Sequence, residues 1–190
     1  KAKDAYYPEF RHKIVTIPQG FDLSKKYNSE YIKNPITTFI YAGRIYPGMR
    51  DPRLFLEYLC TIEVDFLFIV YTDSKTIFEE FAEKLGKKLI INNFIPREQL
   101  INIMSTADFL INIKNVGEVQ SPSKLIDYSI ADRPILDVST EFCEQNSFSE
   151  FMAGNYINQM GRIDLNQYDI ANVTRQFIQL FNRRNSVERQ

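Results

Sequence analysis

The stretch Phe66 to Tyr71 reads FLFIVY, an almost unbroken apolar run. A strand with one wet face alternates apolar and polar residues. This run does not alternate, so it predicts a strand covered on both faces. That demands a layer above the sheet and a layer below it, which is the habit of parallel sheets with helical crossovers.

The rest of the chain supplies the crossovers. Thr38 to Ala42 is a short β-like run ending at Gly43. Asp51 suits a helix N-cap and Pro52 the first helical position, with Leu54, Phe55, Tyr58 and Leu59 at helical spacing. Lys75 to Leu85 reads as one helix closed by Gly86, Leu89 to Ile91 as a strand, and Pro96 to Met104 as a helix. Phe109 to Ile113, FLINI, is a further strand. SPSKLIDYSIADRPIL, from Ser121 to Leu136, holds a helix and then a strand over Ile135 to Val138. Weaker strands are expected at Lys13 to Ile17 and around Tyr156 and Ile157, and a last helix from about Ile170 to Phe181. Strands alternating with helices give repeated βαβ units. The expectation is a doubly wound, Rossmann-like parallel sheet of about six strands with helices on both faces. Residues 1–182 are expected to form one domain, with 183–190 a frayed polar tail.

Composition narrows the function classes. The chain has 190 residues with 44% apolar, 25% charged and a net charge of −1. That is a globular balance with no bulk attraction for nucleic acid or anionic membrane. No apolar run approaches the roughly 20 residues that span a bilayer. Cys60 and Cys143 are the two cysteines and His12 the one histidine, so a structural zinc site is not expected. Two free thiols in a reducing compartment is the simplest reading, with one disulfide the alternative. The chain begins Lys1-Ala2-Lys3 without a starting methionine, which reads as part of something longer.

A doubly wound sheet binds its ligands beyond the carboxyl ends of its strands. The loop after the first of them runs from Gly43 to Asp51 and carries Arg44, Gly48 and Arg50. Glycine lets a ligand approach backbone closely, and arginine forks onto phosphate oxygens. A diphosphate seat and a plain βα turn with surface arginines both fit. The loop Lys114 to Lys124 ends in Ser121-Pro122-Ser123-Lys124, where Ser121 suits an N-cap. A phosphate there would gain first-turn N–H groups, the Ser123 hydroxyl and the Lys124 ammonium. Lys124 stands against the helix dipole, and a locally wrong residue points to a ligand. Otherwise Lys124 reaches solvent or pairs with Glu118. Asp127, three residues on, could take ribose hydroxyls or be an ordinary exposed helical aspartate. Glu118 is a second acceptor or a loop charge. Neither a Walker loop nor a GxGxxG fingerprint is present.

Taken together these stretches resemble the C-terminal, donor-binding domain of GT-B glycosyltransferases, in the retaining, family 4-like group. VTIPQGFDL is similar to the family's IPNGVD. FIYAGRIYPGMRDPRLFLEYL is similar to its GR…KG…L element, and LIINNFIPREQLINIMSTADFLINI to V.F.G.V…EL..LY..ADV.V. SPSKLIDYSIADRPIL is similar to P.K..EYMA.GKPVI. The resemblance implies that Gly43, Arg44, Arg50, Ser123 and Lys124 hold a donor's diphosphate. It implies that Asp127, shorter than the usual Glu, holds the ribose. The sugar-facing Glu would fall at Val119, with Glu118 one residue out of register. Tyr71-Thr72 stands where a glycine is usual. The base is implied near Asn93 and Phe94. The implied reaction is hexosyl transfer from a nucleoside diphosphate sugar to a glycan or lipid-linked acceptor, as in cell-surface polysaccharide synthesis. No cofactor and no metal are expected, since cations and a helix dipole can meet the departing diphosphate. The implied partners are the nucleotide-sugar donor and an N-terminal acceptor domain of the same protein. Nucleic acid is not among them. The implied location is the cytoplasm, at the inner membrane face for a lipid-linked acceptor.

Other classes stay open: a non-catalytic nucleotide-binding or interaction module on the same fold, and one half of a nucleotide-sugar epimerase. No general base stands out in the strand-exit loops, His12 lying outside them. A phosphoacceptor receiver would need acidic residues at strand ends that this chain does not have.

Overall fold

The structure is a computed structural model that describes residues 6–25, 30–46, 48–117 and 123–187, with side chains to residue 182. Two compact units emerge, Lys1–Lys26 with Ile163–Gln190, and Tyr27–Arg162.

The larger unit carries the sheet. Its strands are β1 (Thr37–Ala42), β2 (Phe66–Tyr71), β3 (Leu89–Asn92), β4 (Phe109–Ile113) and β5 (Ile135–Val138). They run in the order β3-β2-β1-β4-β5, all parallel. The chain moves outward from β1 to β3, then returns to place β4 on the other side of β1. The switch point of the fold is therefore the gap between the carboxyl ends of β1 and β4. Pairing there is short. β1 and β2 match over six residue pairs, whereas β1 and β4 match only at Phe39↔Phe109 and Ile40↔Leu110.

Between the strands lie α1 (Arg53–Leu59), α2 (Thr76–Glu79), α3 (Ala82–Leu85), α4 (Arg97–Ser105), α5 (Lys124–Ala131) and α6 (Gln145–Met152). Alternate strand residues face opposite layers. Phe39, Phe68 and Phe109 belong to one aromatic core with Phe55 of α1, Phe78 of α2 and Phe148 and Phe151 of α6. Phe39 is its hub, with ring centroids 4.9 Å from Phe109, 5.0 Å from Phe68 and 5.5 Å from Phe148. On the opposite face Ala42 meets Tyr128 of α5.

Several sequence expectations change. The sheet has five strands among the described residues, not six. Tyr156 and Ile157 lie in a turn, where the Asn155 side chain accepts from Ile157 N–H and competes with a strand ladder. The Tyr156 ring packs on Phe109 and Phe151. α6 was not foreseen, although Phe148, Phe151 and Met152 hold helical spacing. Lys75 to Leu85 is two short helices, broken where Phe81 N–H reaches Phe78 O at 3.0 Å. In α1 it is Leu56, not Leu54, that is buried with Phe55 and Leu59. The N-cap of α1 is Pro52, not Asp51, which stands one residue earlier with Oδ1 accepting from Arg53 N–H at 3.0 Å.

In the smaller unit Lys13–Ile17 forms no strand. A 3-10 turn spans Pro8–Lys13, and Phe21 makes one isolated parallel bridge with Asp169. Its helix α7 (Ile170–Val187) continues into the tail that was expected to fray. No helix among the described residues is long and apolar enough to cross a membrane.

Candidate functional site

The switch point is held open by one hydroxyl. Tyr128 is fully buried, and its Oη accepts Ala42 N–H at 2.8 Å. The same Oη lies 3.1 Å from both Ala42 O and Ile111 O and donates its one proton to one of them at a time. It replaces the ladder bonds that β1 and β4 lose beyond Ile40 and Leu110. Burial pushes the Tyr128 phenol far up, so it stays a donor. Tyr128→Phe should cost about 1–3 kcal/mol by orphaning Ala42 N–H. Denaturant unfolding measures this, and a loss near zero would mean the strands close up without it.

Beside this bridge opens a cavity of about 180 Å³. Gly43, Ser123, Lys124 and Asp127 form its polar wall, and Phe94, Leu100 and Met104 its apolar one. Gly43 has φ +155°, and a Cβ there would lie 3.2 Å from Tyr41 Oη and 3.4 Å from Lys124 Cδ. A side chain would be strained and would crowd both. α5 begins at Lys124, and Ser123 gives it no side-chain cap. Its first-turn N–H groups have no help from that hydroxyl.

Lys124 lies where neither sequence reading put it. Its stem borders the cavity, while Nζ is shielded from solvent, 4.7 Å from the Tyr41 ring centroid and 5.7 Å from that of Tyr128. No described residue accepts a hydrogen bond from Nζ. Burial first, and then the Arg50 charge, hold its pKa well below the ordinary lysine value, with Asp137 pulling weakly the other way.

The two arginines part ways. Arg50 is 5% exposed and works inside the loop. Its Nη1 donates to Arg44 O at 2.8 Å and its Nε to Asn115 Oδ1 at 3.0 Å, tying the β1 exit loop to the β4 exit loop. Tyr41 Oη also donates to Arg44 O. The Arg44 side chain is 55% exposed and donates Nε to Asp73 Oδ2 at 2.7 Å. Arg44 holds the Asp73 carboxyl below its ordinary range. So open a pair is weak, and an incoming phosphate could take its place.

Asp127 is met by Arg97 at the start of α4, Nε at 2.8 Å and Nη2 at 2.6 Å from Oδ1. Phe94 borders the cavity, whereas Asn93 is exposed and does not. Glu118, Val119, Ser121 and Pro122 lie outside the described residues. Both cysteines are free thiols. Tyr41, Tyr128, Arg97, Leu100 and Met104 were missed from sequence. Two of them left a signal: Tyr128 stands where the pattern P.K..EYMA.GKPVI has its tyrosine, and Leu100 stands where V.F.G.V…EL..LY..ADV.V has the leucine of its EL pair.

No protein-family model matches the chain, and no curated protein matches it. Solved structures do. A glycosyltransferase from Rickettsia africae aligns with TM-score 0.64 at 14% identity, over 91% of this chain and 57% of that one. The lipopolysaccharide outer core galactosyltransferase WaaB, in its apo form, aligns with TM-score 0.60 at 10% identity, over 91% and 57%. HepE of Anabaena, solved with UDP-glucose, aligns with TM-score 0.52 at 8% identity, over 78% and 49%. The fold is that of a GT-B C-terminal domain. This chain spans about half the length of the structures it matches. The cavity lies at the β1/β4 exit, the switch point of this sheet.

Proposed function

We propose that this chain is the nucleotide-sugar donor-binding half of a retaining, hexosyl-type glycosyltransferase. The observation that carries the reading is the cavity at the switch point. One wall offers a bare glycine, the start of α5 and Lys124, and the other offers Phe94, Leu100 and Met104. That is the chemistry of a diphosphate joined to a flat base. Arg44, on the surface of the neighbouring loop, is the mobile cation that closes over the phosphates. The departing diphosphate is met by Arg44, the α5 N-terminus and Lys124, whose ammonium turns out from the Tyr41 and Tyr128 rings to reach it, with no metal or other cofactor called on. The sugar acceptor, a glycan or a lipid-linked glycan, belongs to an N-terminal domain beyond this chain. The chain alone therefore binds donor and transfers nothing. The full protein acts in the cytoplasm, at the inner membrane face when its acceptor is in lipid.

Calorimetric titration of the chain with UDP, GDP and ADP tests this. One of them should bind, and Arg44→Ala should weaken it about tenfold. No binding up to about 1 mM, a free energy near −4 kcal/mol, would sink the reading. A non-catalytic module on the same fold is favoured by the masking of Arg44 by Asp73 and of Lys124 by two rings. Sugar transfer by the full-length protein separates the two.

A further inference from the structure

The Asp127 carboxylate is held from one side only. Arg97 Nε donates to Oδ1 at 2.8 Å, and Nη2 stands 2.6 Å from the same oxygen as an ion-pair contact. Among the described residues, Oδ2 accepts no hydrogen bond. Asp127 is 23% exposed and borders the cavity, and Arg97 is 36% exposed at the first position of α4. A guanidinium presents its N–H groups in a fixed plane, so a carboxylate oxygen seated on that edge loses its torsional freedom. An aspartate is short, and which of its oxygens faces the cavity depends on what grips the other. The positive charge of Arg97 also offsets the repulsion between Asp127 and any phosphate placed at the start of α5. The result is an aspartate on the cavity wall with one oxygen held by Arg97 and the other left to accept from an incoming donor. Two adjacent hydroxyls on one face of a furanose ring are donors that such an oxygen can accept.

Building on the donor-site reading above, we infer that Arg97 is a positioning residue that fixes Asp127 so that Oδ2 reads the ribose cis-diol of the bound nucleotide. Arg97 itself makes no contact with the ligand in this role. A lysine would supply charge but not the planar grip.

The test is the affinity ratio between a ribonucleotide and its 2′-deoxy counterpart. Whichever of UDP, GDP and ADP binds the 190-residue chain is compared with its 2′-deoxy form, for wild type, Arg97→Gln and Arg97→Lys. Thermal unfolding of each variant establishes that it is folded. Wild type should prefer the ribose form by about tenfold or more, since a site built around a hydroxyl rejects the ligand without it. Arg97→Gln should bring the ratio close to one, and Arg97→Lys should restore part of it. A role confined to α4–α5 packing would lower both affinities together and leave the ratio unmoved, which overturns the inference while the donor reading stands. A wild type indifferent to the 2′-hydroxyl overturns it equally. If no nucleotide binds, both readings fall together.

Discussion

Lys124→Met should give a protein that unfolds less readily and holds a nucleoside diphosphate far less well. The stem of Lys124 borders the cavity, but its Nζ sits against the rings of Tyr41 and Tyr128 without a hydrogen-bond acceptor among the described residues. Burying an ammonium without an acceptor is costly, and two ring faces return only part of that cost. Methionine fills the same volume without the charge, so a gain of roughly 1 kcal/mol is expected. The pH dependence has a definite sign. The folded-state pKa lies well below the ordinary 10.5, chiefly through burial. Folding therefore releases a proton between that lowered value and 10.5. Wild-type stability should climb as pH rises through this window, and the Lys124→Met curve should lack the climb. A bound diphosphate reverses the preference by favouring the ammonium. Binding should then take up a proton, with affinity falling by up to about tenfold per pH unit across the same window. Losing a charge-assisted bond of about 1.5–3 kcal/mol predicts binding weaker by roughly ten- to a hundredfold. Calorimetry in two buffers of unlike ionisation enthalpy reads the proton directly. A less stable Lys124→Met, or one that binds as wild type does, would show that the lysine is packing and not a ligand group.

Phe39→Ala should be the most damaging single change in the core. The ring is fully buried and meets Phe66, Phe68, Phe109 and Phe148. Those partners come from β2, β4 and α6, so the ring ties the centre of the sheet to a helix that the chain reaches only a hundred residues later. Its neighbours are themselves large, buried rings on two strands and a helix, which leaves little freedom to collapse into the hole. The expected cost is about 4 kcal/mol, the range for aromatic-to-alanine changes in a tight core. At about 2–4 °C per kcal/mol for a chain of this size, the melting point should fall by about 8–16 °C. Equilibrium denaturation would settle it, and a loss below about 1.5 kcal/mol would mean that the aromatic cluster repacks.

Much of the sheet was readable in advance because its strands are apolar runs. Phe66–Tyr71, Phe109–Ile113 and Ile135–Val138 lie where the runs put them. Runs covered on both faces carry their burial in composition and need no knowledge of partners. α6 was invisible because its two serines dilute the pattern that Phe148 and Phe151 keep. The Tyr156 strand was read into a stretch that an asparagine side chain turns instead. In the site, the exit loops and the residues Gly43, Phe94, Ser123, Lys124 and Asp127 were named from sequence, and the cavity gathers those five.

The sequence by itself determined which segments are covered strands, which loops follow them, and that the loop residues could serve an anion. Apolar runs, caps and glycines act over a few residues, so they can be read locally. Only the tertiary structure decided what each charged group does. Arg50 grips the Arg44 carbonyl and Asn115, 65 residues away. Lys124 turns in against Tyr41, and Arg97 reaches Asp127 across 30 residues. These partnerships exist because the order β3-β2-β1-β4-β5 sets β1 beside β4 and α4 beside α5. Periodicity tells which face of an element is buried, but a charge finds its partner only when strand order brings two distant loops together.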